Sequence, residues 1–235
     1  MSGDSGPRTE QGRIAAYYQR RAAAGLGQRY SLSNRGNLYR VQRLERDLLD
    51  ILARHGFADL SRRSILDVGC GDGWFLRRLM AWGAERELLS GVDLLPERIA
   101  AAQHAEPDLD LRCADAGELP YADETFNLVF QLTVLSSILD DDLQRAVAME
   151  IARVLKRGGA AVSYDFHIAR DRRNTRPVRR SDLAALFPGF QMDARRVTLV
   201  PPLARALAGR CWLACELLET IPLLRTHELA VLTKP

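Results

Sequence analysis

The sequence has few aromatic residues (7%), two lysines, and no long apolar run. Its four cysteines form no CxxC pair and have no histidine at metal-ligand spacing, which favours small buried apolar side chains over a metal or redox role. No apolar stretch approaches the ~20 residues of a transmembrane helix. The polar residues 1–13 lack the apolar core of a secretory signal. We therefore expect a cytoplasmic protein without a membrane span.

The size and composition favour one full-sized globular domain. The chain has 235 residues, of which 47% are apolar, so leucine, alanine, valine and isoleucine must fill the core. The formal charge of +3 is mild, and it gives no reason to expect a nucleic acid partner.

The hydrophobic pattern alternates between strand and helix. It predicts a polar tail over residues 1–12, helices over 13–24 and from about 41 to 55, and then a βαβ series. Alternation of this kind indicates an α/β fold with a mainly parallel sheet and helices on both faces. The predicted strands are 64–68, 88–93, 109–113, 126–131, 160–166, 190–200 and 226–233, and the later helices are 74–82, 96–105, 141–155, 181–187 and the apolar stretch 203–218.

A glycine loop follows the first strand. Asp67 ends the strand, and Gly69, Gly71 and Gly73 allow a tight turn and a close approach of backbone to ligand at a helix N-terminus. A nicotinamide-binding loop needs a further glycine where Trp74 stands, so that fingerprint fails. The Asp67 carboxylate also suits a cationic ammonium group better than a pyrophosphate.

Two more acids follow the second and third strands. Asp93 is placed to accept hydrogen bonds from ribose hydroxyls. Nicotinamide sites use an acid in the same way, so Asp93 does not distinguish the two classes of cofactor. Asp115, with the backbone N–H of Ala116, is placed to bind the exocyclic amine and ring nitrogen of adenine. With Asp67, these acids end three successive strands, which favours an adenosine-containing cofactor carrying an ammonium group.

The segments ILDVGCGDG, GVDLL, CADAGELPY, FNLVF and VLKRGGAA resemble the successive motifs of the class I S-adenosylmethionine-dependent methyltransferases over residues 64–166. HELAVLTK fits the last strand of that family. The resemblance implies a Rossmann-like doubly wound sheet of seven strands in the order 3-2-1-4-5-7-6, with strand 7 antiparallel. It also implies S-adenosylmethionine as the cofactor. The family often has aspartate where Asn127 stands.

The resemblance also implies residue roles. Gly69, Cys70 and Gly71 would wrap the methionine part of the cofactor, beside Asp67. Asp93 and Leu94 would bind the ribose, and Asp115 and Ala116 the adenine. Gln131 and Leu132 would lie near the transferring methyl group. Tyr17, Tyr18 and Tyr30 belong to an N-terminal segment that commonly covers the cofactor in this fold, and Tyr18 is counted among the cofactor-binding residues.

The implied organisation is a polar tail (1–12), an N-terminal helical cap (13–60) and a methyltransferase domain (61–235), with a helical insertion (202–220) near the substrate pocket. The YYxxR, RYSLSN and PLLRTHELAVLTKP segments are similar to bacterial methyltransferases that modify small molecules and glycans. The apolar face of the insertion is also compatible with a homodimer contact or a membrane-surface contact.

The catalytic residues depend on the acceptor, because a hydroxyl acceptor usually needs a general base and an amine needs less help. Asp165 and His167 close the fifth strand and are the candidates for that base, whereas His227 is expected to be structural. The arginine-rich segment 170–180 is either a solvated loop or a site for an anionic acceptor.

We expect methyl transfer to a small-molecule acceptor: a sugar, a glycan precursor or another metabolite, modified on oxygen, nitrogen or carbon. Two alternatives stay open. One is a catalytically silent cofactor-binding partner or regulatory subunit. The other is an RNA or protein methyltransferase, although the absence of aromatic residues between the arginines weakens the case for nucleic acid.

Overall fold

A computed structural model describes residues 9–24, 31–169 and 171–235. It contains one sheet of seven strands in the order β3-β2-β1-β4-β5-β7-β6. Strands β1 to β5 pair in parallel, and β7 pairs antiparallel with both β5 and β6, so the predicted topology is confirmed. The strands are β1 (Ile65–Val68), β2 (Leu89–Asp93), β3 (Asp110–Cys113), β4 (Phe126–Leu132), β5 (Leu155–Phe166), β6 (Gln191–Leu199) and β7 (Arg225–Thr233).

Helices cover both faces of the sheet, and local signals define several of their ends. The Asn34 side chain accepts hydrogen bonds from the N–H groups of Gly36 and Asn37 and so begins the second helix. Asp140 caps the fifth helix in the same way. The helices are α1 (Glu10–Ala23), α2 (Arg35–Arg54), α3 (Trp74–Ala81), α4 (Pro96–Ala105), α5 (Asp141–Val154), α6 (Arg180–Leu186), α7 (Pro201–Leu207) and α8 (Trp212–Glu219).

The sheet separates two apolar layers. On one face, Leu48 of α2 and Leu76 of α3 pack with Phe130 of β4. On the other face, Ile151 of α5 packs with Val129 of β4. Neighbouring residues of β4 therefore serve opposite layers, as strand geometry requires.

Several predicted boundaries differ from the structure. Helix α1 begins at Glu10, inside the predicted tail, and α2 begins at Arg35 instead of near residue 41. Residues 156–159 were expected to lie between a helix and a strand, but β5 already begins at Leu155, which pairs with Phe126. Helix α5 does end at Val154, close to the predicted stop, but strand β5 follows directly without an intervening loop. The predicted single helical stretch 203–218 is two helices, because the chain turns at Gly209 between α7 and α8.

Helices α7 and α8 pack against α2 rather than against the main layers. Tyr39 of α2 and Cys215 of α8 share a small buried cluster with Leu199 of β6. The Tyr39 hydroxyl donates to Glu219 at 2.5 Å, and the same carboxylate accepts the N–H of Thr198 at 2.9 Å. This polar link fixes the insertion to the end of the sheet.

No helix within residues 9–24, 31–169 and 171–235 is long and apolar enough to cross a membrane. The same residues contain no cluster of histidine, cysteine and acidic side chains that could hold a metal ion. Tyr30, Arg170 and residues 1–8 of the predicted tail lie outside the described ranges.

Candidate active site

The glycine loop folds over the end of β2. Gly69, Gly71 and Gly73 all have positive φ, at 75°, 58° and 76°. The N–H groups of Gly69 and Cys70 both donate to the carbonyl of Val92, at 2.8 and 2.9 Å. This conformation is one that residues with a Cβ rarely adopt, so the glycines are a backbone requirement of the turn.

Asp93 connects the loop to the start of α4. One carboxylate oxygen accepts the N–H of Gly71 at 2.9 Å, and the other accepts the N–H of Leu95 at 2.9 Å. The Arg98 guanidinium lies 3.7 Å from the same carboxylate. Asp93 is only 6% exposed, yet it lines the cavity beside the loop. Asp93 therefore holds the backbone of the loop in place and also forms part of the cavity wall.

Asp67 lies below the loop and is 2% exposed. Burial, and to a smaller extent the nearby Asp93 carboxylate, raise the pKa of Asp67 well above its usual value. Within the described part of the chain, no donor forms a hydrogen bond to this carboxylate. A buried acid in this position would be stabilised by a cationic group brought close to it.

Asp115 completes the acidic set at the third strand. One of its oxygens accepts the N–H of Gly117 at 2.8 Å, and the other accepts the side-chain amide of Gln11 in α1 at 2.9 Å. A cavity of about 190 Å³ lies between the strand ends and α1. The predicted site residues that line it are Tyr18, Gly69, Asp93, Leu94, Asp115, Ala116 and Leu132.

Helix α1 forms the roof of this cavity, called here the cofactor cavity. The Tyr18 hydroxyl is 2.9 Å from the hydroxyl of Ser137, and the Arg98 guanidinium lies 4.4 Å from the centre of the Tyr18 ring. Glu10 accepts the N–H of Leu139 at 2.5 Å. These contacts join α1 to the segment after β4 and to α4, so the helix is attached on two sides.

The remaining predicted cofactor residues lie behind the lining. Gln131 is 1% exposed, and its side-chain oxygen accepts the N–H groups of Val134 and Leu135 at 3.2 and 3.3 Å. It therefore supports the segment that faces Gly69. Cys70 is buried, and its burial raises the pKa of the thiol above the usual range.

A second, larger cavity of about 710 Å³ adjoins the first. Tyr18, Arg98, Thr133 and Ser137 line both. Its lining includes the four arginines Arg21, Arg40, Arg98 and Arg205, and the one carboxylate Asp72, together with Tyr17, Tyr164, Phe166 and His227. We call it the acceptor cavity.

Two of its arginines carry uncompensated charge. Neither Arg40 of α2 nor Arg205 of α7 forms an ion pair with any acidic side chain that the structure describes. The Nε atom of Arg40 is buried and has no hydrogen-bond partner. An unpaired guanidinium at a cavity wall favours binding of a negatively charged group.

Comparison with known proteins agrees with this geometry. Residues 66–163 match the model of a methyltransferase domain. A phosphatidylethanolamine N-methyltransferase of Cereibacter sphaeroides is 33% identical over 114 residues, which cover 46% of this chain and 52% of that protein. The 27-O-demethylrifamycin SV methyltransferase of Amycolatopsis mediterranei is 32% identical over 108 residues, or 43% and 38% of the two chains. The chain thus spans about half, or less, of these relatives.

The fold likeness extends further. The structure of the Burkholderia thailandensis 1,6-didemethyltoxoflavin-N1-methyltransferase, with bound 1,6-didemethyltoxoflavin and S-adenosylhomocysteine, superimposes with a TM-score of 0.66 at 16% identity. The superposition covers 100% of this chain and 93% of the Burkholderia thailandensis chain. Residues 66–163 of this chain thus match a methyltransferase domain, and its seven-stranded sheet has the fold of the S-adenosylmethionine-dependent methyltransferases. The domain match and this neighbour support S-adenosylmethionine as the cofactor over the nicotinamide alternative.

The structure places neither predicted base of this methyltransferase at a cavity described above. Asp165 is 0% exposed and accepts hydrogen bonds from Gln131 and from the N–H of Ser136, at 2.7 and 2.9 Å. Burial raises the pKa of Asp165 to about 6. Its side chain points into the protein beneath the segment after β4, so it supports that segment instead of facing a ligand.

His167 faces away from both cavities. Its Nε2 donates to the carbonyl of Arg225 at 2.7 Å. It lines a separate basic depression with Arg179, Arg180, Arg195 and Arg196. Arg176 from the same arginine-rich segment pairs with Asp141 at the start of α5. Within segment 170–180, Thr175 lines the acceptor cavity, whereas the described arginines do not.

Sequence reasoning missed the arginines of the acceptor cavity. Arg40 belongs to α2 and Arg205 to α7, and they meet only because the insertion packs on α2. A Cβ on Gly36 would lie 2.6 Å from the Cα of Arg205, which shows how closely α2 and α7 approach. Only the RTH sequence pointed to His227, and from that sequence we expected the histidine to have a structural role.

Proposed function

We propose that this methyltransferase transfers the methyl group of S-adenosylmethionine to an anionic small-molecule acceptor bound in the acceptor cavity. The observation that carries this proposal is the wall of four arginines and one carboxylate next to the cofactor cavity. The acceptor is a sugar phosphate, a nucleotide sugar or an aromatic hydroxy acid, because these classes combine a negative charge with a nucleophilic hydroxyl group.

In this proposal the cofactor would lie in the first cavity, oriented by the acids at the strand ends. Asp67, which receives no hydrogen bond from a described residue, lies closest to where a cationic amino group would be stabilised. Gly69, Cys70 and Gly71 would wrap the methionine part, Asp93 and Leu94 would hold the ribose, and Asp115 and Ala116 the adenine. Leu132 and Tyr18 line the wall, and Gln131 holds Val134 in place. When bound, the cofactor supplies an activated methyl group on a sulfonium.

The protein's own part in the reaction is alignment and exclusion of water. Tyr18 and Ser137 lie between the two cavities, where the acceptor and the methyl group would meet. The roof of α1 covers this boundary. A covered boundary of limited volume suits a small molecule better than a polymer, which supports the small-molecule class over RNA or protein.

The relatives support the same class. The names of the three proteins described above contain phosphatidylethanolamine, 27-O-demethylrifamycin SV and 1,6-didemethyltoxoflavin, which are all small molecules, whereas two further relatives are named for a malonyl acyl-carrier protein. Their acceptors differ from each other, so the choice of substrate rests on the cavity and not on the family.

Incubation with methyl-labelled S-adenosylmethionine and a set of acceptors tests the proposal. The set contains hexose phosphates, uridine diphosphate sugars and hydroxybenzoates, with the matching neutral sugars and phenols. We expect label in an anionic member and none in its neutral counterpart. Label only in neutral compounds contradicts the anionic assignment, and tight cofactor binding with no labelled product favours the silent binding module.

Arg40→Gln provides the matched test of the arginine wall. It should raise the KM for the labelled acceptor by about 10- to 100-fold, since a charge-assisted hydrogen bond contributes about 1.5–3 kcal/mol. The dissociation constant for S-adenosylhomocysteine should stay unchanged. Arg62→Gln, at an exposed position outside both cavities, is the control.

A further inference from the structure

His227 lies at the wall of the acceptor cavity, at the start of β7. It pairs in register with Phe166 of β5 and Val197 of β6. Its ring stacks on Tyr164, with the ring centres 4.5 Å apart and the planes 1° from parallel, and the Phe166 ring lies 4.2 Å away. The imidazole is therefore held in one orientation between two aromatic neighbours.

Hydrogen bonding favours one of the two tautomers of the His227 ring. The Thr226 hydroxyl oxygen lies 3.0 Å from Nδ1 of His227 and 3.3 Å from the carbonyl oxygen of Thr198. A carbonyl only accepts, so in the arrangement that satisfies both contacts the hydroxyl proton of Thr226 points to Thr198. The hydroxyl oxygen then accepts from the N–H at Nδ1. This leaves Nε2 as the nitrogen with a free lone pair.

Nε2 has no competing use within the described residues. No hydrogen bond joins it to any of them, although Nδ1 has its partner in Thr226. By contrast, Nε2 of His167 is occupied by the carbonyl of Arg225. Of the two histidines at this end of the sheet, only His227 lines the acceptor cavity and keeps an unused acceptor nitrogen.

Burial keeps the ring of His227 neutral, and the surrounding positive charges act in the same direction. Burial is the main cause, followed by the positive charge of Arg40 on α2 and the nearby His167; together they hold the pKa of His227 well below its usual value. The other titratable group against the ring is Tyr164, whose pKa is raised by burial, so it is neutral as well. A neutral imidazole has the nitrogen lone pair that a base needs, and a charged one does not.

We infer that His227 is the catalytic base of this methyltransferase, and that its Nε2 receives the proton of the acceptor's hydroxyl or N–H group. This inference rests on the proposed function. As the acceptor atom forms its bond to the methyl carbon, the carbon–sulfur bond breaks and sulfur keeps the electron pair. The acceptor's proton passes to Nε2, which gives an imidazolium that later releases the proton to solvent.

Thr226 is a positioning residue in this arrangement, because it acts on the acceptor only through the imidazole. Its hydroxyl selects the tautomer by linking Nδ1 to the Thr198 carbonyl. Thr226→Ser keeps that link, whereas Thr226→Val removes it. Comparing the two variants separates the effect of the hydroxyl from the effect of side-chain volume.

The first test needs no acceptor. Long-range ¹H–¹⁵N spectra of the full-length protein report the tautomer of each of its four histidines, assigned with His227→Asn and His104→Asn. We expect His227 at pH 7 to be neutral, with the proton on Nδ1, and to lose this single tautomer in Thr226→Val but not in Thr226→Ser. A proton on Nε2, or a charged ring at pH 7, overturns the inference.

The second test uses the acceptor that the labelling experiment identifies. His227→Asn keeps a donor to Thr226 but removes Nε2, and should lower kcat by about 10²- to 10⁴-fold with little change in KM. For a hydroxyl acceptor, the wild-type kcat should be flat between about pH 6 and 8, because the base is already neutral. In the variant it should rise about tenfold per pH unit, because only the ionised acceptor then reacts.

The controls separate this inference from the function on which it rests. His104→Asn changes an exposed histidine of α4 and should leave kcat and its pH profile unchanged. Unchanged S-adenosylhomocysteine binding by His227→Asn establishes that the variant is folded. If the wild type transfers label and His227→Asn keeps its kcat and flat profile, the inference fails while the proposed function stands. If no anionic compound is labelled, the proposed function fails instead.

Discussion

Gly69 and Val134 approach each other so closely that a Cβ on Gly69 would lie 2.5 Å from Cγ2 of Val134. Gly69 belongs to the loop after β1, and Val134 to the segment after β4. Through this contact, the segments that follow the neighbouring strands β1 and β4 pack together at the base of the cofactor cavity. Gln131 holds the Val134 side of this contact by accepting its N–H.

Gly69→Ala should therefore abolish tight cofactor binding. The substitution adds the clash with Val134 to a backbone φ of 75°, and the strained conformation alone costs about 1–3 kcal/mol. We expect a lower melting temperature and a large rise in the dissociation constant for S-adenosylhomocysteine, measured by calorimetry.

Gly83→Ala is the matched control. Gly83 also has a positive φ, 95°, but a Cβ there meets nothing within 4 Å. It should lower the melting temperature without changing cofactor affinity. Equal affinity losses in the two variants would show that strain, and not the contact with Val134, is responsible.

Asp93→Ala should weaken S-adenosylhomocysteine binding by about 1.5–3 kcal/mol through lost charge-assisted contacts. It should also destabilise the protein, because the N–H groups of Gly71 and Leu95 lose their acceptor. Asp93→Asn keeps one oxygen and should be less destabilising. Asp108→Ala, at an exposed position, should change neither measurement, and an unchanged dissociation constant for Asp93→Ala would remove Asp93 from the cofactor site.

Asp67→Asn should make the cofactor-free protein more stable at neutral pH. The raised pKa of Asp67 means that the folded protein favours the protonated carboxyl. Its contribution to stability is present below the ordinary pKa of 3.8 and is lost as the pH rises through the raised value. The variant avoids this loss, so its stability advantage should grow with pH and disappear near pH 4.

Chemical denaturation of both proteins from about pH 4 to 8 measures this difference. Cofactor affinity should change in the opposite direction, because the neutral amide no longer attracts an ammonium group. A variant that is less stable than the wild type at pH 7 would contradict the argument.

Tyr18→Ala should release the roof of the cofactor cavity. It removes a hydrogen bond to Ser137 and a contact with the Arg98 guanidinium, which contribute about 0.5–1.5 and 0.5–2 kcal/mol. We expect the dissociation rate of S-adenosylhomocysteine, followed by stopped flow, to rise about 10-fold. Tyr18→Phe keeps the ring below Arg98 and should have the smaller effect. Equal effects of Tyr18→Ala and Tyr18→Phe would show that only the hydroxyl group of Tyr18 holds α1 in place.

The sheet and the acids at its edge were predictable from the sequence, because parallel strands place their C-terminal ends on one side. Asp93 and Asp115 end two neighbouring strands, so they had to meet once the strand order was set. Arg40 and Arg205 were not predictable, because their meeting depends on how α7 and α8 pack on α2. The orientation of His227 depends on the antiparallel register of β7 against β5, which no local pattern encodes.

The hydrogen bond between Gln11 and Asp115 has a consequence for turnover. A glutamine amide and the exocyclic amine of adenine are both N–H donors, and the proposed adenine contact uses the carboxylate that Gln11 holds at 2.9 Å. Exchange of one donor for the other leaves the number of hydrogen bonds at Asp115 unchanged. With the proposed adenine contact, the carboxylate would have a donor both with and without the nucleoside bound, so departure of the spent nucleoside would expose no unsatisfied charge at this point.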